Sequence, residues 1–123
     1  MKNLKIVLVD DEKEFVMTLA ERLQLRGIQT RATTDGEYAL QLIEADPPQV
    51  VILDVMMPGL GGLEVLKLIK AQYPQIQVIL LTGYGSTKEG ITGMHLGAFD
   101  YMMKPVSIEE LIEKIEEAID SQP

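Results

Sequence analysis

The chain has no cysteine, a single histidine and no apolar run long enough to cross a membrane. The first absence excludes disulfides, thiol catalysis and cysteine metal sites, and fits a reducing compartment. The lone His95 stands in a helical stretch without an evident partner, so the sequence offers no Ser-His-Asp set. It offers no GxxxxGK loop for a nucleotide either. A membrane span needs roughly 18 or more apolar residues in succession, and the runs here are strand-sized. Basic clusters are missing too: 11 Lys and Arg lie scattered among 19 Asp and Glu, for a net charge of −8. Holding a nucleic-acid backbone needs clustered cations, so direct nucleic-acid binding by this segment is disfavoured. The N-terminal MKNLKIVLVDDEKE lacks the apolar core and small-residue cleavage site of a signal peptide, and a cytoplasmic protein is expected.

What is present fits one globular domain over residues 1–123, with 46% hydrophobic and 24% charged residues. Strand and helix patterns alternate without repeats or low-complexity segments. The expected strands are Lys5–Val9, a weaker edge-like Ile28–Ala32, Gln49–Leu53, Gln77–Leu81 and Phe99–Met103. Gln49–Leu53 is the most apolar and should be central. A helix over Lys13–Arg26 carries Phe15, Val16, Leu19, Ala20 and Leu23 at helical spacing, with Gly27 as its C-terminal cap.

Thr34 with Glu37, Ser86 with Glu89 and Ser107 with Glu110 read as capping boxes that open three further helices. Leu63, Leu66 and Ile69 mark another, halted by Pro74, and Ile108, Leu111, Ile112, Ile115 and Ile119 form one apolar stripe in the last. Units of this kind predict a doubly wound five-stranded parallel sheet with helices on both faces. The weak second strand at an edge favours the flavodoxin-like order 2-1-3-4-5.

Four strands end on polar residues that suit phosphate chemistry. IVLVDD closes on Asp10 and Asp11, VVILD on Asp54, QVILLT on Thr82, and FDYMMKP on Lys104 before Pro105. Ligands bind open α/β sheets just beyond the carboxyl ends of the strands, so the fold should gather these groups at one place. Two carboxylates about 4 Å apart repel by roughly 4 kcal/mol at an effective dielectric near 20. Such a cluster binds a cation or holds a proton, and Mg²⁺, a hard ion that takes oxygen ligands, fits it. An Asp pair after a strand, taken alone, is more often a helix cap. A charge at the end of the most buried strand is not explained that way. Asp54 is then a metal ligand only, or also a nucleophile for a phosphoryl group. Thr82 would donate through its hydroxyl, Gly83 through its backbone N–H, and Lys104 would supply a point charge.

The motifs LVDDE, ILDVMMPGLGG, the strand-terminal Thr82 and YMMKP resemble the signature of the response-regulator receiver domain of two-component signalling, in order and over essentially the whole chain. The resemblance implies that Asp54 is the phospho-acceptor, and that Asp11 ligates Mg²⁺ (or Mn²⁺) directly with Asp10 assisting through water. It implies the backbone carbonyl of Met56 as a further ligand, contacts from Thr82 and Lys104 to the phosphoryl group, and a cis Lys104-Pro105 peptide. Tyr101 matches the aromatic that the family couples to Thr82 during switching. The donor would be a sensor histidine kinase or phosphotransfer protein, and the receiver of the signal a downstream protein or a tethered output domain. The protein would be a switch rather than an enzyme, assisting its own phosphorylation and dephosphorylation.

Gly83 departs from the family's usual Ala, which leaves the backbone donor intact. Gly90 and Gly93 weaken the fourth helix by roughly 1 kcal/mol each relative to Ala. They leave two readings: a frayed helix, or one ordered by phosphorylation so as to switch the face formed by the fourth helix, fifth strand and fifth helix. Met56 and Tyr84 flank the expected path of a hydrolytic water, and slow self-dephosphorylation is expected.

Two alternative functions fit the sequence less well. An aspartate-dependent phosphohydrolase commonly has a second carboxylate two positions after its nucleophile, where this chain has Met56. A phosphorylation-independent pseudo-receiver would lack an acid, the Thr or the Lys, and all are present. The last helix, IEELIEKIEEAID, is acidic and has no Arg, which disfavours the symmetric dimer of the winged-helix transcription factors and leaves another phosphorylation-dependent dimer open. The closing Asp120-Ser121-Gln122-Pro123 suits a stand-alone receiver and equally a domain of a longer regulator.

Overall fold

A computed structural model describes residues 3–57, 59–83 and 87–122. Strands and helices alternate as β1 (Lys5–Val9), α1 (Lys13–Leu25), β2 (Gln29–Thr33), α2 (Gly36–Ala45), β3 (Val50–Asp54), α3 (Gly62–Gln72), β4 (Gln77–Thr82), α4 (Thr87–His95), β5 (Asp100–Met103) and α5 (Ile108–Asp120). All pairings are parallel, in the order β2-β1-β3-β4-β5 expected from the sequence. Val9 lies level with Leu53, and Leu53 with Leu80, so the carboxyl ends of the central strands finish together.

Side-chain character accounts for these positions. Every residue of β3 is buried, as a strand covered on both faces requires, whereas β2 is only partly covered and takes the edge. Alternation sorts the core into two layers. Ile6, Leu8, Val50, Ile52, Ile79 and Leu81 pack toward α1 and α5. Val7, Val9, Val51, Leu53, Val78 and Leu80 pack toward α2 and α3. Each fully buried aliphatic side chain contributes roughly 1.5–3 kcal/mol relative to leaving it exposed.

The helix ends show where local reading succeeds and where it slips. Gly27, at φ 81°, closes α1 as expected, with its N–H on the Gln24 carbonyl at 2.9 Å and that of Ile28 on Leu23 at 3.1 Å. Ser107 caps α5 by accepting from the Glu110 N–H at 3.0 Å. The cap of α2 is Asp35 rather than Thr34: its carboxylate accepts from the Glu37 N–H at 3.2 Å. The strand before it runs one residue further than expected, to Thr33, whose hydroxyl accepts from the Asp35 N–H at 3.1 Å. That carries the turn one residue along and delivers Asp, one of the strongest N-caps, to the capping position. Ser86 and Tyr84, expected to cap α4 and to shield the site, lie outside the described residues.

The two glycines of α4 have a packing reason that the sequence did not disclose. Both are buried. A methyl group on Gly93 would overlap Leu80 Cδ1, and one on Gly90 would lie 3.2 Å from both Thr82 Cγ2 and the Tyr101 ring. The small residues let the helix backbone approach β4 and β5 closely.

Candidate phosphoryl and metal site

Alternation continues one step past the strands and builds the site. Asp10 follows Ile6 and Leu8, Asp54 follows Val50 and Ile52, and Lys104 follows Met102, all on the α1–α5 side of the sheet. Backbone ladders extend to hold two of them, with the Asp10 N–H on the Thr33 carbonyl at 3.2 Å and the Lys104 N–H on the Thr82 carbonyl at 2.8 Å. The Lys104-Pro105 peptide is cis, as the resemblance implied.

Asp10 is 1% exposed and Asp54 5% exposed, which is unusual for ionisable groups, while Asp11 beside them is exposed. A carboxylate oxygen from each of the three lies within 4.8 Å of the others. The Lys104 ammonium stands 2.7 Å from Asp10 Oδ2, 2.6 Å from Glu12 Oε1 and 3.7 Å from Asp54 Oδ2. It also lies 4.8 Å from the centre of the Phe15 ring, a cation–π distance. Glu12 and Phe15 were not singled out from the sequence. Glu12 is the third acid of LVDDE and the N-cap of α1, and Phe15 lies in the first turn after it; nothing in the spacing tells that both meet Lys104.

Backbone donors fix the buried carboxylates: Asp10 Oδ1 accepts from the Glu12 N–H at 2.9 Å, and Asp54 Oδ1 from the Met56 N–H at 3.2 Å. Burial, reinforced by the Asp10 charge, pushes Asp54 up to about 7 against the pull of Lys104. Asp10 is raised for the same first reason, burial, with Lys104 opposing. Burial works against the charge on Lys104, but its bonds to Asp10 and Glu12 outweigh that and raise it.

Thr82 is fully buried at the end of β4, and its hydroxyl donates to the Met102 carbonyl over a long 3.4 Å. Gly83 follows it, half-buried. Tyr101 is half-buried, one residue from that carbonyl, with its ring against Gly90. Gly62 supports the Asp54 strand end from beneath: a methyl group there would overlap the Asp54 carbonyl oxygen and lie 2.8 Å from Val55 Cα. Of the residues expected from the sequence, Asp10, Asp11, Asp54 and Lys104 come together, with Glu12 and Phe15 beside the lysine; Thr82 ends the neighbouring strand β4, and Tyr101 lies on β5 with its ring against Gly90.

Comparison with known proteins agrees with this geometry. Residues 6–116 match the response regulator receiver domain family, and the chain belongs to it. The transcriptional regulatory protein CpxR of Escherichia coli (strain K12) is 41% identical over 111 residues, covering 90% of this chain and 47% of that protein. The response regulator MprA of Mycolicibacterium vanbaalenii is 37% identical over 112 residues, covering 91% of this chain and 48% of that protein. The crystal structure of the receiver domain of NtrX from Brucella abortus superposes with a TM-score of 0.90 at 33% identity, covering 95% of this chain and 99% of that one. The chain spans about half the length of the curated relatives it matches. It is therefore a receiver domain of two-component signalling, a switch module. No helix among the described residues is long and apolar enough to cross a membrane.

Proposed function

We propose that Asp54 accepts a phosphoryl group from a sensor histidine kinase or a phosphotransfer protein, with residues 1–123 acting as one receiver in the cytoplasm. The observation that carries this reading is a pair of buried carboxylates, Asp10 and Asp54, joined by Asp11 and offset within the site by one lysine. Packing alone does not explain so much buried negative charge. Hard oxygen donors in this number fit a divalent cation, Mg²⁺ or Mn²⁺, held by Asp11, Asp54 and the Met56 carbonyl, with Asp10 behind a water. When bound, the cation would offset the carboxylate charge and polarise the phosphoryl oxygens.

The chain's own groups divide the remaining work. An Asp54 oxygen attacks phosphorus; the O–P bond forms as the N–P bond of the donor breaks, and the leaving imidazole keeps the electron pair and takes a proton. The Thr82 hydroxyl and Gly83 N–H donate to phosphoryl oxygens, and Lys104 meets their charge. The 3.4 Å bond from Thr82 to Met102 is weak enough to be exchanged for one to phosphate. Turning Thr82 would alter the space beside Tyr101 and Gly90, which ties the site to α4 and β5. Ile91, Met94 and Met103 are already exposed there, as a face that meets a partner or a tethered output domain would be. The greater length of the curated relatives supports an output domain. No further enzyme activity is needed; the domain assists its own phosphorylation and dephosphorylation.

Intact mass after incubation with acetyl phosphate tests this. A single phosphoryl adduct that requires Mg²⁺ and is absent from Asp54→Asn is expected. An adduct of equal yield on the variant would overturn the assignment of Asp54.

A further inference from the structure

We propose that Glu12 is a positioning residue that holds Lys104 on the α1 side of the site and must release it when a phosphoryl group arrives on Asp54. This rests on Asp54 being the acceptor. An ammonium has three N–H donors. Two of its close contacts are the carboxylates of Asp10 at 2.7 Å and Glu12 at 2.6 Å, and the Phe15 ring lies 4.8 Å away. Asp54 Oδ2, at 3.7 Å, is beyond hydrogen-bond reach although the charges attract. In this arrangement the lysine is neutralised chiefly by groups that do not react.

The two restraints on Lys104 differ in kind. Asp10 belongs to the three-carboxylate cluster, and a cation bound there would draw away part of the charge with which it holds the lysine. Glu12 lies outside that cluster, with its side chain 62% exposed, and keeps its hold whether or not a cation is present. A phosphoryl group must therefore compete with Glu12 for the ammonium. Because the Glu12 carboxylate faces solvent, the competition is modest and sensitive to salt.

The test compares the rate of Mg²⁺-dependent adduct formation from acetyl phosphate, by intact mass, in wild type, Glu12→Gln and Glu14→Gln at 50 and 500 mM KCl. Glu14 is exposed and close in sequence, so Glu14→Gln removes an equal charge from a side chain that does not hold Lys104. Glu12→Gln should be phosphorylated about three- to fivefold faster than wild type at low salt, a gain in the range of one surface ion pair, and the gain should shrink at high salt. Glu14→Gln should match wild type. Beryllofluoride at saturating Mg²⁺ should likewise bind Glu12→Gln more tightly. Equal or slower phosphorylation of Glu12→Gln, or the same acceleration in Glu14→Gln, overturns the role of Glu12 while leaving Asp54 as acceptor. No adduct on any of the three proteins overturns the acceptor reading and this inference with it.

Discussion

At the scale of single residues, the site stores unfavourable charge. Burial, and after it the Asp10 charge, pushes the Asp54 carboxyl from its ordinary 3.8 up to about 7. A carboxyl whose pKa is raised by folding favours the folded state while protonated and disfavours it once ionised. Its contribution is therefore best below pH 3.8, falls as the pH rises from there to about 7, and levels off above. Asp10 shifts the same way. In metal-free buffer, Asp54→Asn should melt at nearly the wild-type temperature at pH 4 and well above it at pH 8. Converted in full, a shift from 3.8 to about 7 corresponds to a gain on the order of 4 kcal/mol at pH 8. Added Mg²⁺ should shrink the gain, because a ligand of the native wild type stabilises that protein selectively. Calorimetry of both proteins at pH 4 and pH 8, with and without Mg²⁺, checks this, and a gain independent of pH would contradict it.

Most of this site was legible in the sequence, because strand-terminal Asp10, Asp54, Thr82 and Lys104 are brought together by the topology itself. The grip of Glu12 and Phe15 on Lys104 was not legible. It depends on which way a flexible four-carbon side chain turns, 92 residues along the chain from Glu12, and periodicity does not encode that.

At the scale of elements, close backbone approaches matter more than helix propensity. Gly62 opens α3 against the Asp54 carbonyl, and its added methyl would meet backbone that cannot step aside. Gly62→Ala should cost about 3 kcal/mol or more, toward the upper end of overpacking, and should weaken Mg²⁺ binding by displacing the strand end. Gly61→Ala, where the nearest atom would lie 3.7 Å away, should be almost neutral. Chemical denaturation of the two variants checks the contrast. In α4, Gly93→Ala should be destabilising although Ala favours a helix by roughly 1 kcal/mol, because the methyl meets the buried Leu80.

The sequence revealed that α4 contains two poor helix formers, but not that both lie against β4 and β5. The same glycines leave α4 with little propensity of its own beside the buried Thr82. Amide exchange within Thr87–His95 should slow several-fold when beryllofluoride and Mg²⁺ are added, and unchanged exchange there would rule out ordering of α4 by the phosphoryl group. Of the two expected N-caps among the described residues, Ser107 stands as expected, and Asp35 displaces Thr34 because β2 runs on to Thr33.

At the scale of the whole molecule, a parallel doubly wound sheet places every strand's carboxyl end on one edge, and the chain spends that edge on a cluster of acid with one lysine. The strand order was legible because burial of β3 and exposure of β2 separate centre from edge. The net charge of −8 is unfavourable for direct contact between these residues and a nucleic-acid backbone. Ile91, Met94 and Met103 expose apolar area along α4 and β5, the face proposed above to meet a partner.

Borohydride trapping locates the phosphoryl group proposed for Asp54. Protein incubated with acetyl phosphate and Mg²⁺ is reduced with sodium borohydride, which converts an aspartyl phosphate to homoserine, and the peptides are then mapped by mass. Homoserine at position 54 alone, dependent on Mg²⁺, is expected. Homoserine at position 10 or 11, with Asp54 intact, would contradict that proposal.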